Sequence, residues 1–447
     1  MRPLAWVLMA AVALTVSCGP RRPQPMTAFD GRLADWSRDI LADSPELATA
    51  AGVSEEAAGG RYIDRLDDRS ALAAEARRSA AIRRYAELRA LDQSRLSAGE
   101  ALTFAVLGSQ FEAAAAGAAF DYGDFSPLGG IRPYVLNQLD SAFLTLPSFL
   151  DERHPVSNAA ETEAYLTRLR AVADAIDAET ERARADAARG VRPPLAIIDL
   201  TLRLLDDTIA QPPLQQLYFT SFQRKLAALA GQAPEAERAA IEQSHQGYLA
   251  RAEATLRQHV IPAHQRAAAF LRGERAQASE EVSVSRLPRG AEFYAAALRI
   301  ETTTDLTPGQ IHRIGLERVT DLNGQLDIAL RRVGLTEGSV GERLAAMTAD
   351  PRYAYEDSDA GRAQLMADVQ ARIARVMERA PQWFGRMPRA ALEVRRVPEF
   401  LEAAAPGAYY AHPSLDGETP GVYYINLRNL GEMTRIDLPT QDFHEAA

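Results

Sequence analysis

The sequence predicts a mainly α protein, a large helical body with a small β element just before its last helix. Three observations carry this. Apolar residues recur at helical spacing, bracketed by capping residues, over most of the chain from about Ala28 onward. Strand-like composition is confined to two short stretches, ALEVRRV (391–397) and GVYYINL (421–427). A hydrophobic share of 47% in 447 residues suffices for a core and excludes a disordered chain.

In chain order, the first element is a leader. Arg2 precedes an unbroken apolar run from Leu4 to Leu14, too short to span a membrane and suited to a secretory signal. Cys18, the only cysteine, follows in LTVSCGP. A small residue such as Ser17 directly before a cysteine is the pattern of a bacterial lipoprotein signal, with Thr15 standing where Leu is usual. Residues 1–18 are therefore read as a lipoprotein-like signal peptide and Cys18 as the lipidation site. That places the protein outside the cytoplasm, in the periplasm or on the outer membrane, held through an N-terminal lipid. An ordinary cleaved signal is the alternative. GPRRPQPMT (19–27) reads as a flexible tether, and 28–447 as one largely helical domain. With no second cysteine there is no intrachain disulfide, so packing alone holds the fold. The net charge of −10 excludes nucleic acid as a partner, and Lys225 is the sole lysine.

Within the body, SAGEALTFAVLGSQFEAAAAG opens on a capping box, Ser97 and Glu100, with Phe104, Leu107 and Phe111 on one face. AYLTRLRAVADAIDAETERARADAARG places Leu166, Leu169, Val172 and Ile176 at helical spacing and stops at Gly190. TPGQIHRIGLERVTDLNGQLDIALRRVG starts with Thr307 as cap, Pro308 in the first turn and Gln310 three residues on. Ile311, Ile314, Leu322, Leu326 and Val333 then predict a buried stripe. Ser339 and Glu342 form another capping box, and AQLMADVQARIARVMERA one more helix before Pro381. The last helix, capped by Thr440 after Pro439, has about seven residues left in the chain. That is too few to be stable alone, so the chain reads as a fragment.

That helix carries His444 and Glu445. A zinc peptidase helix needs a His as metal ligand and a Glu beside it as general base, because successive residues point about 100° apart. Taken alone the dipeptide is a weak signal. The strand just upstream, GVYYINL, suits an edge to which an extended peptide pairs, or else a small structural hairpin. Tyr409, Tyr410, His412, Tyr423, Tyr424 and Asn426, with Asp416 in a turn before Gly417, are the candidate substrate-binding groups. Each is individually more often a packing or surface residue. His154, His245, His259 and His264 show no partner pattern and read as surface residues, and His312, five residues before Glu317 and so not on one face with it, as structural or as a support to a site's ligands. A G-x-S-x-G serine, a phosphate loop and a cysteine nucleophile are all missing.

The same stretches resemble a bacterial family known as domain of unknown function 885, thought to be metallopeptidase-like. HPVSNAAETEAYLTRL, GVRPPLAIIDLTLRLL and VIPAHQRAAAFLR are similar to its first half and middle. LPRGAEFYAAALRIETTTDLTPGQIHRIGLERV follows its succession of motifs, with Phe293 replacing a Tyr. GAYYAHPSLDGETPGVYYINL is the most specific piece. The family then places His-Glu-x-x-Pro-Gly-His-His downstream, which implies His444 as a zinc ligand and Glu445 as the catalytic Glu. Pro-Gly-His-His and a later Glu-Gly-Trp segment, the remaining ligands of that pattern, are absent. The resemblance thus implies an exported zinc peptidase acting on a peptide substrate, with its motif cut short. A non-catalytic envelope lipoprotein whose helical body binds a ligand or partner is the alternative from another class. Oligomeric state is not legible.

Overall fold

The computed structural model describes residues 27–446 apart from 129, 233, 400, 401, 403, 404, 416 and 418. Cys18, the signal and Asp416 therefore lie outside the described residues. The chain divides into two compact units, one up to Asp305 and one from Leu306.

The first unit is helical as expected. Its helices are α1 (Ala28–Asp43), α2 (Pro45–Ala51), α3 (Ala71–Arg89), α4 (Ala98–Ala118), α5 (Ala142–Glu152), α6 (Ala159–Ala188), α7 (Leu195–Ala210), α8 (Leu217–Gly231), α9 (Glu235–Thr255), α10 (Ile261–Arg275) and α11 (Gly290–Thr302). A two-residue antiparallel ladder, β1 (Asp124–Phe125) with β2 (Ile131–Arg132), interrupts them. The Ser97–Glu100 capping box is present, each side chain bonding the other residue's backbone N–H.

The core is built on α6. Leu166, Leu169, Val172 and Ile176 are buried together with Ala263, Ala267 and Ala268 of α10, whose small side chains let the two helices approach closely. Helix α9 runs into α10 through a π turn, Leu256–Val260. The wider turn accommodates Pro262, which has no N–H to donate and crowds the turn before it.

Three histidines read as surface residues are in fact buried: His154, His245 and His264. Polar neighbours in sequence concealed this, because the apolar cover comes from other helices. His154 donates Nε2–H to the Glu161 carbonyl at 2.9 Å, and its Nδ1 accepts from Arg168 Nη1 at 2.9 Å. Burial, then the neighbouring Arg168 and Lys225 charges, push its imidazole down to about 3.

The second unit contains α12 (Pro308–Arg332), α13 (Val340–Thr348), α14 (Asp359–Arg379), β3 (Leu392–Arg396), β4 (Ala408–Ala411), β5 (Gly421–Ile425) and α15 (Leu438–Ala446). The capping boxes at Thr307–Gln310 and Ser339–Glu342 form as expected. The stripe on α12 does not. Ile314, Leu322, Leu326 and Val333 are 44%, 52%, 36% and 65% exposed. Helix α12 is held to α13 through Leu330, which is buried, and an Arg343–Asp327 ion pair. A 3.6-residue period marks which face of a helix is apolar and says nothing about what covers it.

The core of this unit lies between α14 and the sheet. Leu365, Val369 and Ile373 pack on Tyr423, Ile425, Leu427, Leu430, Met433 and Leu438. The strands before the last helix thus form as predicted, with β4 as a third strand the sequence concealed. Its AYYA sits between Gly407 and Pro413, and the whole stretch reads as turn.

Candidate functional site

The sheet order is β3-β5-β4, with β3 parallel and β4 antiparallel to β5. GVYYINL is therefore the central strand rather than an edge, because both of its sides are already hydrogen-bonded. Among the described residues, β3 and β4 are the outer strands of this sheet. Register pairs Tyr410 with Tyr423 and Tyr409 with Tyr424. Cross-strand partners share a face, and successive residues alternate. Tyr410 and Tyr423 thus lie on the face that packs against α14 and α15, whereas Tyr409 and Tyr424 stack on the other, 4.9 Å between ring centroids.

Helix α15 begins at Leu438, two residues before the expected Thr440 cap. Pro439 suits the first turn, where its missing N–H has no intrahelical role. Thr434 shapes the approach, its Oγ1 donating to Asp437 Oδ2 at 2.7 Å and accepting from the Ile436 N–H. Leu438 and Asp442, four residues apart and so on one face, are the buried residues of the helix.

Asp442 is fully buried. Its Oδ1 accepts from the Tyr423 hydroxyl at 3.0 Å, and its Oδ2 from Arg372 Nε of α14 at 2.6 Å. Burial, then the carboxylates of Asp442 and Glu445, hold the Tyr423 phenol far above the usual tyrosine range. It stays protonated and donates. His444 is exposed and Glu445 half-buried. Helix α15 also packs against β4, an outer strand of the sheet among the described residues.

The other expected residues divide clearly. Tyr410 and His412 share a side of the sheet, their rings edge to face at 5.1 Å. Tyr423 is committed to Asp442. Asn426 is buried, its amide donating to the Glu402 carbonyl at 2.7 Å and to the Ala405 carbonyl at 3.2 Å. That ties down the loop entering β4. After His412, the Ser414 N–H donates to the Thr419 carbonyl at 3.1 Å and the Ser414 hydroxyl accepts from the Thr419 N–H at 2.8 Å, and Gly417 has φ +82°. A polar cavity of about 560 Å3 opens beside the first turn of α15, lined by Glu402, Asn426, Arg428, Glu432, Asp437 and Gln441.

Sequence reasoning missed Arg372, Asp442 and Gly421. The first has no local signal. Asp442 was detectable as the partner of Leu438 at i, i+4. Gly421 lets the Tyr410 ring lie across β5, since a Cβ there would stand 2.0 Å from the Tyr410 hydroxyl and 2.8 Å from its ring carbon. Gly421→Ala is expected to displace Tyr410 and cost about 1–3 kcal/mol, read as a lower unfolding midpoint. An unchanged midpoint would show that the ring swings aside freely.

A model described as "Bacterial protein of unknown function (DUF885)" matches residues 45–447. The chain belongs to the DUF885 family. Among solved structures, a candidate lipoprotein from Colwellia psychrerythraea is 24% identical with a TM-score of 0.85, covering 94% of this chain and 71% of that one. A candidate lipoprotein of unknown function from Shewanella oneidensis is 14% identical with a TM-score of 0.57, covering 94% of this chain and 70% of that one. These likenesses establish the fold. The search of curated proteins finds no match.

A catalytic zinc takes three protein ligands and an open position. Among the described residues no three His, Cys, Asp or Glu side chains converge on one point. His444 has Glu445 beside it, and both oxygens of Asp442 are already used. The described residues do not by themselves fit a resident zinc.

Proposed function

We propose that this DUF885 chain carries part of the active site of an exported, zinc-dependent peptide hydrolase, with His444 as one ligand and Glu445 as general base. A zinc site also needs further ligands, which His444 and Glu445 do not supply. The supporting observation is the placement of the pair. An anchored helix presents His444 to solvent with Glu445 half-buried, and packs against β4, the strand at one edge of the sheet among the described residues. An extended peptide would pair its backbone with that edge of β4, with Tyr410 and His412 near the scissile carbonyl. Zinc, when bound, supplies Lewis acidity and an acidified water. The Glu445 carboxylate takes a proton at its oxygen and returns it to the departing amine.

Metal content measured beside a peptide-cleavage assay tests this, on the chain as its organism makes it. About one zinc per molecule with hydrolysis supports the reading. A metal-free, inactive protein would favour the non-catalytic binding lipoprotein instead.

Anchoring belongs to the same proposal. Cys18 is lipidated after cleavage of the signal, and Gly19, rather than Asp, after it directs the protein to the outer membrane of a two-membrane cell. The leader sequence supports this, as does the lipoprotein description of the two structural neighbours. Mass spectrometry of the mature N-terminus should find a diacylglyceryl cysteine at position 18; an unmodified N-terminus elsewhere would overturn it.

A further inference from the structure

We infer that Asp442 is the positioning residue of the His444–Glu445 pair, setting the roll of α15 through Tyr423 and Arg372. Only the kinetic arm of the test below rests on the hydrolase reading.

Helix α15 is short, nine residues, and buries two side chains, Leu438 and Asp442. Leu438 supplies apolar contact, which tolerates rotation and sliding because dispersion has no preferred direction. Asp442 is different. Both of its oxygens receive directional donors, the Tyr423 hydroxyl from β5 and Arg372 Nε from α14. Two bonds from two elements allow one roll angle and one axial position. Charge-assisted bonds of this kind are also shorter and stronger than neutral ones.

The consequence for the pair follows from helical geometry. At 100° per residue, His444 stands roughly 200° round the helix from Asp442 and Glu445 roughly 300°. His444 is thus turned to solvent, as observed. Glu445 lies about 60° from the anchored face. Glu445 is correspondingly half-buried where His444 is exposed. A leucine at 442 would fill the space and keep the helix docked without specifying the angle. The carboxylate adds orientation beyond burial.

The roll is read without activity by thiol labelling. In a Cys18→Ser background, His444→Cys and Glu445→Cys are made singly, each with and without Asp442→Leu. With Asp442 present, the exposed position 444 labels faster than the half-buried 445. With Asp442→Leu the two rates converge, while circular dichroism and the unfolding midpoint show the fold retained. Should Asp442→Leu fail to fold, Asp442→Asn and Tyr423→Phe, which weaken the lock without removing its volume, give the same comparison. A 444-to-445 rate ratio unchanged in the folded variants would overturn the inference. The kinetic arm uses Asp442→Asn in the hydrolysing protein, where kcat falls by up to about 10²-fold with KM little changed, since small misplacements of a catalytic group act on the transition state. Converging label rates with an inactive wild type would leave the positioning role standing and the hydrolase reading refuted. Converging rates with unchanged kcat would overturn the positioning role.

Discussion

Glu445→Gln is expected to lower peptide hydrolysis by about 10²–10⁴-fold while leaving metal content unchanged, the range that general-base catalysis supplies. Glutamine keeps the shape of the side chain, but its amide cannot take a proton from water. His444→Ala should behave differently, losing metal and activity together, because a ligand rather than a base has been removed. The contrast separates the two roles. Metal analysis and steady-state kinetics on both variants and the parent check it. Unchanged hydrolysis in Glu445→Gln would refute the mechanism outright.

A second large effect is expected in the first unit on acidification. His154 is completely buried, sits edge-on to the Tyr165 ring, and faces the Arg168 guanidinium, with the Lys225 ammonium on its carbonyl. Its folded pKa is pushed down to about 3 from an ordinary 6.5. The unfolded chain therefore binds the proton more readily than the folded one. The stability this contributes is present above pH 6.5 and is lost as pH falls from there towards 3. Each pH unit in that window removes roughly 1.4 kcal/mol, for a total on the order of 3–5 kcal/mol. Urea unfolding of the parent and of His154→Gln, each at pH 7 and pH 4.5, checks it. Glutamine cannot titrate, so the parent should lose more stability between the two conditions. Equal losses would show that His154 is not what makes the unit acid-labile.

The features legible in the chain were those set by neighbours in sequence. The capping boxes at Ser97, Thr307 and Ser339 form where they were expected, because a side chain three residues away satisfies orphan N–H groups without help from the rest of the fold. The β-branched and aromatic runs at 391–397 and 421–427 became strands for the same reason, and the His444–Glu445 pair lies on a helix because a proline-led turn starts one. Burial and pairing were a different matter. Whether β5 is an edge or a centre depends on β4, whose four residues are disguised by turn formers on both sides. Whether the stripe on α12 is covered depends on what lies over it, which helical period does not encode. His154 and Arg168 satisfy each other across fourteen residues, and Arg372 reaches Asp442 across seventy. Local hydrogen bonding and side-chain periodicity are written in consecutive residues, so the sequence alone determined the helices and the placing of His444 and Glu445 on one of them. Desolvation and long-range polar contacts arise from elements that meet only in three dimensions. The fold therefore decided which groups are buried, which are neutral, and which way the pair faces.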